Sequence, residues 1–400
     1  MGRVRPFRPP GVSVDPRERL YAVACAAMFV FGIILGLPGT VLGLPEVAVQ
    51  FRLSLADRGT LISTLFVGLL VGSVLSGPLV EAAGQRRSLV VSAVLVALCL
   101  PLFAAATSFG GAAAAMAGLG LAAAGMNTAS NALSSELFPH ERGRRMNGIA
   151  LVVGLGGLAM PLATALGAGT VSWRSVVNAG AALTALVGIA GLLVATPVSP
   201  VGGVRLTPSA AMARVSRAPG FAWFGLLLMM AAATEASMAG WTSTFLSAAG
   251  FSAQTGTWVL SSHWLGLIAG RVMFSRRVDR AKEAAIVRAS LAGGVCLLVF
   301  LAVRSTSVLV VAPFAIGVSI AVIVPTALAF AGDRYPGSAG ALFGLLLTLA
   351  QVGGIVLPAV IGFAAERTGM RAGLSVLAVN CLLVGWVARR AGRAARPRTT

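Results

Sequence analysis

Residues Gly118–Gly167 read GLGLAAAGMNTASNALSSELFPHERGRRMNGIALVVGLGGLAMPLATALG. An apolar segment carrying Asn127 and Asn131 ends at Glu136 and turns at Pro139. A basic hairpin follows, with Arg142, Arg144 and Arg145, and a second apolar segment, rich in glycine, is interrupted by Pro161. The pattern returns one half-chain later. Gly120 matches Gly317, Glu136 matches Asp333, Pro139 matches Pro336, Gly143 matches Gly340, Gly156 and Gly157 match Gly353 and Gly354, and Pro161 matches Pro358, all at 336 − 139 = 197 residues. Ser54, Gly68, Gly72 and Glu81 find Ser252, Gly266, Gly270 and Asp279 at 266 − 68 = 198. One single-residue insertion accounts for the difference. A run of matches that includes acid on acid is an internal repeat, and parallel repeats in a membrane protein point to a transporter.

Composition names the solvent. Of 400 residues 57% are hydrophobic and 11% charged, against roughly 25% charged in soluble domains. Such a chain could not cover a water-facing surface, so lipid is its natural medium. The net charge of +19 does not indicate nucleic acid, because the arginines sit in short segments between apolar runs rather than on a folded basic face. Cys25, Cys99, Cys296 and Cys381 lie inside apolar runs without paired spacing or neighbouring ligands, so neither disulfides nor a metal site is expected. No cofactor is expected either.

A spanning helix needs about 20 apolar residues. Twelve are expected, at approximately 20–45, 59–80, 87–108, 111–135, 147–168, 175–195, 220–247, 256–275, 285–303, 307–331, 339–363 and 373–390. The organisation is then a tail (1–19), a six-helix bundle (20–196), a Pro- and Arg-bearing linker (197–219), a second six-helix bundle (220–390) and a tail (391–400). With both termini in the cytoplasm, all basic residues but Arg52, Arg58, Arg174, Arg304, Arg367 and Arg371 fall on the inner side, as the positive-inside rule requires. The expected location is the inner (plasma) membrane, multi-pass, as a monomer. Helix 1 holds Gly36, Pro38, Gly39, Gly43 and Pro45 and is expected to kink or unwind.

Polar side chains within a span face the bundle interior. Asn127 and Asn131 share a helix face with Ser130 and Ser134 beside them, and carboxamides suit a neutral, hydroxyl-bearing solute. The alternative role is interhelical bonding that holds helix 4. Thr234, Ser237 and Trp241 lie along helix 7, Trp241 either stacking on a sugar ring or forming part of an interfacial aromatic belt. Glu235 is the one carboxylate deep in a span. It either carries protons, binds solute, or pairs with Arg271 on helix 8. His263, either a group that titrates near neutral pH or hydrogen-bonded packing beside Trp264, and Gln351 complete the candidate binding set. Glu81, Arg86, Arg87 and Glu136 in the first half, and Arg271, Asp279 and Asp333 in the second, are candidate gate contacts that form when the cytoplasmic side closes. The alternative is that they mark the membrane edge.

Helix 2 ends in GPLVEAAGQRRSL, residues 77–89. This resembles the signature between helices 2 and 3 of the major facilitator superfamily, G-x-L-A-D-R-x-G-R-R/K-x-x-L. Gly77, Leu79, Gly84, Arg86 and Leu89 match; Glu81 replaces the usual Asp, and Ala82 and Gln85 replace basic residues. Trp173-Arg174 before helix 6 fits as well. The resemblance implies an all-α membrane fold of two six-helix pseudo-repeats over nearly the whole chain. Within the superfamily, Gly125–Asn131 followed by Pro139, Leu44-Pro45 followed by Phe51, and Gly266 with Gly270-Arg271 after a Trp resemble the fucose/glucose/galactose–proton symporters. That family has an Asp where Val41 stands and a Glu where Asn127 stands, so both acids it associates with proton coupling are replaced here.

The expected function is secondary active or facilitative transport of a small neutral polar solute, a sugar, by alternating access, with a proton as candidate coupling ion. The alternative is proton-coupled efflux of a drug or metabolite, although Met160 stands before Pro161 where drug exporters have Gly. Enzymatic function is not expected: the sequence has no metal-spaced cluster, nucleophile–base pair or phosphate-binding loop.

Overall fold

A computed structural model describes residues 15–138, 141–194, 216–274, 281–302, 305–335 and 339–394. The linker expected at 197–219 lies largely outside them, as does Asp279. The described residues form helices α1 (Pro16–Val41), α2 (Pro45–Phe51), α3 (Leu55–Ala83), α4 (Gln85–Ala105), α5 (Phe109–Leu137), α6 (Arg142–Leu166) and α7 (Trp173–Leu193). They continue as α8 (Phe221–Ala248), α9 (Ala253–Phe274), α10 (Lys282–Ala302), α11 (Thr306–Ile320), α12 (Ile323–Arg334), α13 (Ala339–Thr368) and α14 (Met370–Ala394).

Among the described residues eleven segments are long and apolar enough to cross a membrane, α11 and α12 counting as one. α9, with 22 residues, is long enough but is not among them, since its serines, His263 and Arg271 lower its hydropathy. Local chemistry sets the helix starts. Asp15 accepts from the Arg17 N–H at 2.9 Å and Pro16 opens α1. Ser54 and Asp57 form a reciprocal capping box on α3, and Ser108 and Ser172 cap α5 and α7.

Two helices depart from the expected spans. Helix 1 ends at Val41 and not near residue 45, and a short second helix starts at Pro45. Proline disfavours helical backbone in the residue before it, and Leu44 is extended (ψ 133°). The helix of the expected first span is thus interrupted at residues 42–44, beside Gly43 and Pro45, while Pro38 lies within α1. The tenth span breaks at Ala321–Val322 between α11 and α12. Pro325, in the first turn of α12, lacks the N–H that would continue the upstream ladder.

The glycines of the repeat make the same contacts twice. A Cβ at Gly120 would stand 2.1 Å from the Leu65 carbonyl oxygen, and one at Gly317 2.3 Å from that of His263. Gly68 lies against the Ala117 carbonyl as Gly266 does against that of Phe314. These close approaches seat α5 on α3 and α11 on α9, since only small residues let helix backbones come so near. The correspondence also crosses between the α1–α7 and α8–α14 groups: Gly157 accommodates the Trp264 ring, and Gly354 the Phe66 ring. The two groups meet along α3 and α13, α6 and α9, and α1 and α8.

Candidate solute pathway between the helix groups

One end of the molecule, here the distal end, carries the turns after α1, α4, α6 and α8. The two groups are bonded together there. Ser247 Oγ on α8 donates to the Gly43 carbonyl at 3.0 Å, and Gln254 Nε2 on α9 donates to the Ala165 carbonyl at the end of α6 at 3.1 Å. The Glu366 carboxylate, in the last turn of α13, accepts from the Leu55 and Ala56 N–H groups at 2.9 and 3.2 Å. A carboxylate at a helix N-terminus satisfies orphan donors and favours the dipole, so α13 caps α3 across the group boundary. Somewhat deeper, Ser63 Oγ donates to the Ile355 carbonyl at 2.6 Å.

Away from that seam, a further cross-group hydrogen bond comes from Arg271. Its Nη2 donates to Glu235 Oε1 at 3.0 Å and its Nη1 to the Ala150 carbonyl on α6 at 2.9 Å. One guanidinium thus ties α8, α9 and α6 together. Both side chains are partly exposed, 19% for Arg271 and 24% for Glu235, so the pair borders accessible space. Gly154, one turn beyond Ala150, makes room for this approach. A Cβ there would lie 2.8 Å from Ile268 Cγ1 and 3.8 Å from Arg271 Nη1.

The other candidate binding residues separate into groups. On α5, Asn131 Nδ2 donates to Asn127 Oδ1 at 2.8 Å and to the Asn127 carbonyl at 2.9 Å, and both residues are half-buried. Ser130 and Ser134 are fully buried; Ser134 bonds the Ser130 carbonyl. Thr234 is turned towards α14: its hydroxyl accepts from Asn380 Nδ2 at 2.7 Å. Ser237 is completely buried. Trp241 is also fully buried, against Gly59 of α3 near the distal seam, and here acts as packing rather than as an open stacking surface. His263 is fully buried with Nδ1 3.3 Å from the Pro313 carbonyl on α11, inside its own helix group. Gln351 is half-buried on α13.

At the opposite, proximal end the candidate gate residues bond within their own groups. Arg86 Nε donates to the Gly191 carbonyl at 2.7 Å and its Nη2 to that of Leu192, closing the C-terminal end of α7. Lys282 Nζ pairs with Asp333 at 2.5 Å. Arg87 and Glu136 are exposed. The side chain of Glu81, like the whole of Asp279, lies outside the described residues. Arg271 is the exception, since it bridges the groups from a deeper level.

Sequence reasoning missed three partners. Glu18 takes both Nη groups of Arg145, at 2.9 and 2.5 Å, beneath the rings of Phe138 and Tyr21. Glu366 and Asn380 were also not singled out. Glu18 and Glu366 lie at helix ends where a charge ordinarily marks the membrane edge, and only the fold shows what they face. Among the described residues no group of His, Cys, Asp and Glu could hold a metal ion.

Comparison with known proteins places this architecture. None of the curated proteins matches the chain. Among solved structures, the nucleoside transporter NupG, as a point mutant, superposes with a TM-score of 0.76 at 15% identity, covering 94% of this chain and 100% of that one. A bacterial homolog of the human lysosomal transporter Spinster superposes at 14% identity, covering 97% of this chain and 100% of that one. Its TM-score is 0.74 in an inward-facing, unoccupied conformation and 0.76 in an inward-facing, occupied one. At these identities the likeness establishes the fold. The model of the Major Facilitator Superfamily matches residues 24–358. With eleven apolar segments able to cross a bilayer among its described residues and that match over most of its length, the chain belongs to the major facilitator superfamily, as a multi-pass membrane transporter of small solutes and not an enzyme.

Proposed function

We propose that the protein is a secondary transporter that moves a small, neutral, hydroxyl-bearing solute, a sugar, by alternating access between two six-helix bundles of twelve spans in all. The carrying observation is the segregation of cross-group bonds. Gly43–Ser247, Glu366–Leu55 and Ala165–Gln254 close the distal end, while the proximal charges Arg86 and Asp333 bond within their own groups. That asymmetry is what a conformation open at the proximal end has. The duplicated glycine contacts support the two-repeat arrangement.

In this reading the proximal end and both termini lie on the cytoplasmic side of the inner membrane, because the basic residues concentrate at that end. Solute would contact Asn127 and Asn131, whose carboxamides offer donors and acceptors at partly open positions, with Ser130 behind them. The Glu235–Arg271 pair, charge-balanced, would present oxygen and N–H groups to hydroxyls without selecting a net charge. Closure of the proximal end would re-pair Glu81, Arg86, Arg87, Glu136, Asp279 and Asp333 between the bundles.

The test is a thermal-shift screen of the purified protein against sugars, polyols, a nucleoside and lipophilic cations. A ligand that binds the native state stabilises it, by about 2.7 kcal/mol at a hundredfold excess over Kd. A sugar that shifts the parent but not Asn127→Ala supports the reading. A shift confined to lipophilic cations would replace it with the efflux reading.

A further inference from the structure

On the outer flank of the second helix group, α8, α13 and α14 leave an open groove of about 320 Å³. Its walls are almost entirely apolar: Leu226, Met230, Val356, Leu357, Leu383 and Trp386. Val356, Leu383 and Trp386 are 50%, 44% and 47% exposed, so the groove opens outward rather than into the solute pathway. Its floor holds Gly353, the residue that seats α13 on the Met229 carbonyl. Anything lodged in the groove would brace the α8–α13 packing.

The proximal end of the groove is built differently. Trp223 and Trp386 meet edge to face with centroids 5.5 Å apart, and the Arg390 guanidinium lies 5.1 Å from the centre of the Trp386 ring. Arg389, Arg390 and Arg393 are exposed, and at helical spacing all three share the face of α14 that carries Leu383 and Trp386. None of them is ion-paired with a described residue. A tryptophan pair at the level where apolar lining gives way to arginine is the layout of a bilayer interface, and a basic cluster beside an interhelical groove recognises anionic lipid headgroups.

We propose that this flank binds one anionic phospholipid, with an acyl chain in the groove between α8, α13 and α14 and its phosphate on Arg389 and Arg390. The apolar groove and the unpaired cations are complementary to the two parts of one such molecule. Inorganic phosphate would satisfy the arginines but not the groove, and a zwitterionic lipid the groove but not the net charge of the cluster.

The test titrates the detergent-solubilised full chain with phosphatidylglycerol, with phosphatidylcholine of the same chains, and with inorganic phosphate, following the melting temperature. Phosphatidylglycerol is expected to act at about fivefold lower concentration per engaged arginine than phosphatidylcholine, and phosphate to act not at all. Arg390→Gln is expected to narrow the preference about fivefold without weakening phosphatidylcholine. Leu383→Asp, at an exposed groove position, is expected to weaken both lipids together; Val356→Asp repeats this test on α13. An unchanged preference in Arg390→Gln, a full response to phosphate alone, or unchanged binding of both lipids in the two groove variants would overturn the site.

Discussion

Glu366 of α13 accepts hydrogen bonds from the backbone N–H of Leu55, the first residue of α3, at 2.9 Å. The two residues belong to opposite helix groups, so opening of the distal end in the proposed cycle would break the bond. A carboxylate cap of this kind contributes about 0.5–2 kcal/mol. That is enough to change the ratio of two conformers by roughly two- to thirtyfold.

Glu366→Gln should therefore raise the population open at the distal end. A cysteine at Thr244, a buried residue in the distal part of α8, reports it in a background with the four native cysteines replaced. Faster modification in Glu366→Gln is expected, and an unchanged rate would deny the cap any part in closure.

The Arg271 triad makes a prediction about stability. Arg271→Leu leaves Glu235 without its partner at a partly buried site, at a cost of about 1–3 kcal/mol, and Glu235→Leu leaves Arg271 without its own. Arg271→Leu combined with Glu235→Leu removes both charges and should recover much of that loss. Melting temperatures of the two single variants and the double variant complete the cycle. Additive losses would mean that the 3.0 Å contact carries no coupling energy.

The same pair bears on energy coupling. Neutralising Glu235 would strand the Arg271 cation, and Val41 and Asn127 occupy the two places where the resembling symporters carry acids. Downhill solute entry into proteoliposomes should therefore proceed without internal or external alkalinisation. An alkalinisation in the parent that vanishes in Glu235→Gln, with solute binding retained, would make the protein a proton symporter working through Glu235.

The proximal charges differ in expected weight. Arg86 closes the C-terminal carbonyls of α7, so Arg86→Ala should lower stability by about 1 kcal/mol. Asp333 is 60% exposed where it meets Lys282, and surface pairs are worth about 0–1 kcal/mol. Asp333→Asn should therefore leave the melting temperature nearly unchanged. Equal losses in the two variants would contradict this ordering.

The fold was legible where the sequence repeats a backbone contact. Gly120 and Gly317 are matched residues, and each seats a helix on an equivalent carbonyl, that of Leu65 and that of His263. The pairing of Glu235 with Arg271 was also readable, because a lone deep carboxylate and an arginine at similar depth have few alternatives. The third partner was not, since the Ala150 carbonyl is a backbone group that no side chain announces. The same holds for the N–H groups that Glu366 caps. The neighbours of Thr234 and Trp241 were not legible either, because α8 is mostly apolar and no polar stripe marks which side faces which element. Thr234 in fact meets Asn380, and Trp241 meets α3. The broken tenth span could have been read from Pro325, which lies within an otherwise continuous apolar run.

The most direct measurement is uptake of radiolabelled sugar by proteoliposomes containing the purified chain, beside protein-free vesicles and vesicles containing the Asn127→Ala variant. The expected result is protein-dependent, saturable uptake that accelerates when unlabelled sugar is trapped inside, and that falls at least tenfold in Asn127→Ala. Uptake equal to that of empty vesicles for every sugar the protein binds, or uptake indifferent to Asn127→Ala and to trapped sugar, would contradict a sugar carrier working by alternating access.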